Sequence, residues 1–260
     1  MLKKMIHDVT FDLPPALEIN PEGDLLLIDK PYKCTSFDVV GKVRKMASRA
    51  AGHRVKVGHA GTLDPLATGL LLICVGKMTK QVDALQAQEK TYTGTFMMGA
   101  TTPSFDLEKP IDATFPYEHI TREMAEDAAR SFTGDIQQVP PIFSAVKHQG
   151  ERSYEIARRG EEAQLTAKNI TIYEFEITRF ELPEIDFRIR CSKGTYIRTL
   201  CHDIGLALGC GGTMKELVRL ETSGFTYEQA HTLRELEALR DAGRLEEALL
   251  PVDVAFAELP

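Results

Sequence analysis

Four β-rich runs set the fold class of this chain: LLLICVG from residue 70, YTGTFMMG from 92, ITIYEFEITRFE from 170 and IDFRIRCSKG from 185. The last alternates apolar and polar residues, as a strand buried on one face does, whereas the first is apolar throughout. Helical patterns stand among them at TREMAEDAARSFTG and YIRTLCHDIGLALG, but strands and helices do not alternate strictly. A doubly wound parallel sheet needs a helical crossover after nearly every strand. The order here instead predicts an α+β fold with a central mixed, largely antiparallel sheet flanked by helices and loops.

At 260 residues the chain can bury a sizeable core. No run approaches the roughly 18 apolar residues of a membrane span. The amino terminus meets Asp8 and Asp12 before a signal-peptide core could develop. A cytoplasmic protein without membrane contact is therefore expected. The five cysteines form no C-x-x-C pair and no histidine stands at ligand spacing, so reduced thiols and no metal are expected.

The net charge of −7 argues against a phosphate-rich partner until its distribution is considered. Between Val39 and Leu63 lie six basic residues (Lys42, Arg44, Lys45, Arg49, Arg54, Lys56) and no carboxylate. From Glu216 onward there are ten acids and only four arginines. A basic segment thus leads directly towards Asp64, although taken alone it is better read as a solvated helix face.

Residues 1–20 carry Pro14-Pro15 without clear periodicity and read as an N-terminal extension. GDLLLIDKP reads as a strand and turn. Ser36 offers an N-cap to a helix whose apolar positions are Phe37, Val40, Val43 and Ala47. A basic and aromatic stretch at about 140–168 reads as an arm over a substrate, within a domain spanning 21–225. Residues 226–260 form an acidic helical tail.

GHAGTLDPLATGLL, from Gly58 to Leu71, is the most informative segment. Gly58, Gly61, Gly69 and Pro65 confine the backbone around Asp64 and place a carboxylate on a tight loop before an apolar strand. It lacks the G-K-[ST] ending of a phosphate-binding loop. Spacing alone leaves open whether Asp64 only makes a turn or does chemistry. An ionised carboxylate in an enclosed site could act as nucleophile or electrostatic partner, and would need a fixed cation against desolvation.

This segment, with LLLIDKP before it and KTYTG, FTGDIQQVPPIFSAVKHQG, SYEIARRG and CSKGTYIRTL after it in order, resembles the TruB family of tRNA pseudouridine synthases. The resemblance runs from about Gly23 to Phe225. It implies the pseudouridine synthase fold and isomerisation of uridine 55 in the T arm of tRNA, with no cofactor. Asp64 would be the essential nucleophile and Arg198 its cationic partner. Tyr92 and Tyr196 would contact the substrate, Tyr92 by stacking on the uracil of a flipped nucleotide. His59 would occupy the space that the base vacates. Leu217, read as helical within KELVRL, would give apolar contact, and Lys30 would buttress the pocket floor. A monomer is expected.

Lys33, Ala60, Pro103 and Phe143 depart from the family's pattern and put local loop shape in question. The chain ends about where the family's additional C-terminal RNA-binding PUA domain would begin, so that domain is expected to be lacking. Two other readings compete. Glycoside or nucleoside hydrolysis would need a second carboxylate, and the sequence neighbours Asp38 and Asp83 lie in no recognisable motif. A tRNA-folding chaperone would bind the same arm with catalysis secondary.

Overall fold

The computed structural model describes residues 17–144, 147–148, 151–152, 159 and 165–253. Most of the expected extension, much of the arm and the last seven residues of the tail lie outside them.

Strand β1 (Asp24–Lys30) leads into helix α1 (Ser36–Ala51), then β2 (Val57–Ala60), β3 (Thr68–Val75), the short α2 (Val82–Gln86) and β4 (Lys90–Met98). The small strands β5 (Ala100–Thr101) and β6 (Ala113–Thr114) pair with each other before α3 (Arg122–Ser131) and β7 (Gly134–Gln138). Within the arm, β8 (Lys147–His148) pairs with β9 (Glu151–Arg152). Then follow β10 (Lys168–Glu181), β11 (Glu184–Cys191), α4 (Ile197–Ala207), β12 (Gly212–Thr222), β13 (Phe225–Thr226), α5 (Leu233–Asp241) and β14 (Leu250–Pro251).

The main sheet runs β14-β1-β3-β12-β4-β11-β10-β7, with β13 on β12 and β2 on β3. Its pairings are antiparallel except for β12 beside β3, which is the mixed, largely antiparallel sheet expected. The apolar run of β3 follows from its place. Leu71, Ile73 and Val75 enter the main core with Leu26 and Ile28 of β1, while Leu70, Leu72 and Cys74 pack with Leu25, Leu27, Met78, Leu85 and Phe225 on the other face. A strand covered on both sides has no solvent-facing positions to fill with polar residues. In β11 only alternate residues, Ile185, Phe187, Ile189 and Cys191, are buried.

Helix α1 begins one residue earlier than expected. Thr35 is the N-cap, closing a capping box with Asp38. Ser36 is buried instead, its hydroxyl bonding both the N–H and the carbonyl of Leu63 and so docking α1 against the loop before Asp64. Val39, Val40, Val43, Met46 and Ala47 form its buried face, and Phe37, expected there, is 68% exposed.

Leu217 lies on strand β12, not on a helix. The strand was masked in the sequence by Lys215, Glu216 and Arg219, which suggest an exposed surface although Arg219 is buried. Gly69 is required where β3 meets β12: with φ +93°, a Cβ there would stand 2.4 Å from the Arg219 carbonyl oxygen.

The tail is only partly helical. After α5 and Gly243, a short 3-10 turn brings β14 back to pair with the edge of β1.

On α4, burial pushes the Asp203 carboxyl up to about 6. The folded chain then retains a proton that the unfolded chain releases between about pH 4 and 6. Stability therefore falls as pH rises through that window, and the penalty is complete above it. Asp203→Asn should be more stable at pH 7 by about 1–2 kcal/mol after allowing for partial solvent screening. Its urea midpoint should be flatter between pH 4 and 6, which a pH series of urea melts would measure.

Candidate active site

The Asp64 loop joins β2 to β3 and is fixed from three sides. Ser36 holds Leu63 from α1. Lys30, fully buried at the end of β1, donates from its ammonium to the carbonyls of Pro31, Cys34 and Pro65. Its pKa is lowered to about 8, chiefly by burial. From β12, the Arg219 guanidinium donates to the Leu70 carbonyl at 2.7 Å and to the Gly61 carbonyl at 3.1 Å. Gly61 has φ +97°, and a Cβ on it would reach within 3.3 Å of Arg219 Nη1.

Held this way, Asp64 presents a side chain that is 33% exposed to a cation that is 4% exposed. Arg198, in the first turn of α4, donates from Nε to Asp64 Oδ2 at 2.7 Å and from Nη2 to Oδ1 at 3.0 Å. Such a two-bond fork fixes both distance and plane of the carboxylate. The rest of the guanidinium is also occupied: Nη1 donates to the Ser104 carbonyl and Nη2 to that of Phe143. Burial works against the charge on Arg198, but Asp64 and Asp106 outweigh it and raise its pKa.

Asp106 went unnoticed in the sequence. It is 3% exposed, its Oδ2 is 3.6 Å from Arg198 Nε, and Oδ1 accepts from the Ser104 hydroxyl and the Glu108 N–H. It stands three residues after Pro103, at the end of the stretch TPSFD where the sequence departs from the family's pattern, and the fold brings it to Arg198 beside Asp64. A second carboxylate is thus present, as hydrolysis would require, but it is buried and engaged by donors around Arg198 rather than open to a leaving group.

A small cavity opens here, lined by Asp64, Leu66, Ala67, Asp106, Arg198, Met214, Lys215 and Leu217. At about 10 Å³ it has room for about one water molecule, so a heterocycle enters it only if the lining side chains move apart. Of the residues singled out from the sequence, Asp64, Arg198 and Leu217 meet in its wall.

Three of the other four stand close to Asp64. Tyr92 on β4 is 7% exposed and pairs across the sheet with Arg219. Burial raises its pKa, and both Arg219 and Asp64 act on its hydroxyl. Tyr196 is the N-cap of α4, where its N–H and carbonyl bond the amide of buried Gln138. Burial raises its pKa too, with Asp64 acting in the same direction. Lys30 lies beneath the Asp64–Pro65 turn. His59 sits apart on β2, its Nδ1 buried without a hydrogen-bond partner and its pKa lowered by burial and by Arg219.

Arg219 was also passed over, though it stands two residues after Leu217; a charged residue between apolar ones on a strand was the available signal. Among the described residues no helix is long and apolar enough to cross a membrane.

A carboxylate gripped by a buried arginine at the mouth of this cavity is equipped to attack or stabilise an electron-poor carbon. The model of the TruB family pseudouridylate synthase N-terminal domain matches residues 45–197, and that of the tRNA pseudouridylate synthase B C-terminal domain matches 198–257. A tRNA pseudouridine synthase B of Phocaeicola vulgatus is 49% identical over 229 residues, covering 88% of this chain and 97% of its own. That of Flavobacterium johnsoniae is 53% identical over 211 residues, covering 80% and 92%. Among solved structures, a crystal structure of a Cbf5-Nop10-Gar1 complex matches with TM-score 0.70 and 27% identity, over 94% of this chain and 69% of that one. The chain, with Asp64 and Arg198 joined across 134 residues, belongs to the TruB family of pseudouridylate synthases.

Proposed function

We propose that this chain isomerises uridine 55 in the T arm of tRNA to pseudouridine, acting as a cytoplasmic monomer whose catalytic domain spans residues 21–225. The observation that carries this reading is the Asp64–Arg198 fork at the cavity mouth. The relatives' names supply tRNA as the substrate class.

Isomerisation leaves the atom inventory unchanged. The bond from N1 of uracil to the ribose breaks, the base turns, C5 takes its place on the sugar, and the C5 proton leaves while N1 gains one. Asp64 is the nucleophile in this scheme, attacking an electron-poor carbon of sugar or base, with Arg198 setting its angle and preserving its charge before attack. A base inside folded RNA must first be flipped out. Leu217 gives one apolar wall for it, and Tyr92 gives a ring for its face and a hydroxyl for the C5 proton. Tyr196 closes the side next to Arg198, Lys30 supports the loop from below, and His59 fills the gap left in the RNA.

The test is tritium release from a T-arm stem-loop carrying 5-tritiated uridine, with a second stem-loop in which cytidine replaces the target uridine and the label sits on another uridine. Release from the first alone, with pseudouridine recovered at that position, is expected. Free uracil as product would mean hydrolysis, and binding without release from either substrate would favour the chaperone reading.

A further inference from the structure

The turn between β1 and α1 contains a strained residue. Lys33 has φ +58°, a left-handed conformation that is unfavourable for a residue with a Cβ and free for glycine. Neither Lys33 nor Tyr32 contributes to the core. Lys33 is exposed, Tyr32 is 55% exposed, and the Lys33 ammonium lies 5.5 Å from the centre of the Tyr32 ring. Strain that supports no packing points to a use for the side chain it displays.

The turn is fastened to the active site. Lys30 donates to the Pro31 and Cys34 carbonyls on one side and to the Pro65 carbonyl on the other, so the turn and the Asp64–Pro65 loop stand together. Helix α1 continues the surface with Phe37, 68% exposed, and with exposed Lys42, Lys45 and Arg49 at helical spacings of three and four. Those three cations span roughly 10 Å at about 1.5 Å per residue. Among the described residues none of them enters an ion pair. Asp38, the carboxylate nearby, is occupied in the cap with Thr35.

We propose that the Tyr32–Lys33 tip is an RNA contact. Lys33 takes a backbone phosphate of the strand flanking the reacting uridine, the Tyr32 ring supports a base or sugar beside it, and the α1 cations receive the phosphates that follow. This rests on the tRNA reading above. Exposed rings beside unpaired cations match a strand that offers π-faces and phosphates together. The tie through Lys30 to the Pro65 carbonyl puts this turn beside the loop that presents Asp64.

Lys33→Gly separates strain from contact, because it removes both the left-handed penalty and the ammonium. Its melting temperature should be about 2–4 °C higher than that of the wild type. Its KM for the stem-loop should rise about three- to tenfold, the salt dependence of log KM should become shallower by about one, and kcat should stay within twofold. Lys33→Asn, whose side chain tolerates the left-handed region, should show the same loss of affinity. A more stable Lys33→Gly with unchanged KM and salt slope would overturn the proposal, as would a loss of affinity in Lys33→Gly that Lys33→Asn does not share. Filter binding of the same stem-loop decides the contact independently of turnover, so a wild type that binds but forms no pseudouridine would reject the assigned reaction and still leave this proposal testable.

Discussion

Asp64→Asn should form no measurable pseudouridine, a loss of at least about 10⁴-fold in kcat, while the protein stays folded and binds the T-arm stem-loop as tightly as the wild type. Asparagine matches the shape of aspartate but is not an effective nucleophile. It can accept one Arg198 N–H, while its NH2 group meets a donor where the carboxylate presented an oxygen. What limits the structural damage is Asp106. With its carboxylate 3.6 Å from Arg198 Nε, the buried guanidinium keeps a counter-charge when Asp64 loses its own, so the severe cost of an orphaned buried charge does not arise. The expected stability loss is about 1–2 kcal/mol. The same logic applies within the proposed reaction: a covalent bond to Asp64 would consume its charge, and Asp106 would remain to balance Arg198. Single-turnover tritium release with matched filter binding and thermal melts measures all three quantities. Activity within tenfold of wild type would remove Asp64 from the chemistry.

The sheet could be read wherever its strands follow simple burial rules. The unbroken apolar run of β3 and the alternation of β11 report two-sided and one-sided burial directly. Strand β12 could not be read this way, because it runs through the site and carries residues chosen for the site. Lys215 lines the cavity, and Arg219 directs its charge into carbonyls beneath the Asp64 loop. Hydropathy treats both as surface, so the strand resembles an exposed helix. Asp64 and Arg198 were recognisable only by resemblance, since 134 residues separate them and no local spacing predicts the fork. Asp106 ends a stretch in which Pro103 departs from the family's pattern, and no local spacing ties its carboxylate to Arg198. The shift from Ser36 to Thr35 as the cap has a similar cause: both can cap a helix, and the need to hold Leu63 decides between them.

Arg219→Met should lower kcat about 10²- to 10³-fold and the melting temperature by about 5–10 °C, although Arg219 is not in the cavity wall. Methionine nearly fills the volume, so the change is chemical. The Leu70 and Gly61 carbonyls lose their donor in a buried setting, each at about 1–3 kcal/mol. Relief from burying a charge offsets part of this. These carbonyls flank the Asp64 loop on both sides, and a displacement of about 1 Å there is enough for a hundredfold rate loss. Arg219→Lys, which keeps the charge but not the fork, should recover part of the rate. The stability deficit has a pH signature. Lys90, buried 6% exposed on β4, has its pKa lowered to about 8, first by burial and then by Arg219. Below pH 8 Lys90 is charged, and removing Arg219 relieves their repulsion, partly compensating the lost hydrogen bonds. Above pH 8 the folded Lys90 is neutral and nothing remains to relieve, so the deficit should widen as pH rises from 7 to 9. Urea melts of wild type and variant across that range measure it. A melting temperature within 2 °C of wild type together with kcat within threefold would mean that Ser36 and Lys30 hold the Asp64 loop without Arg219.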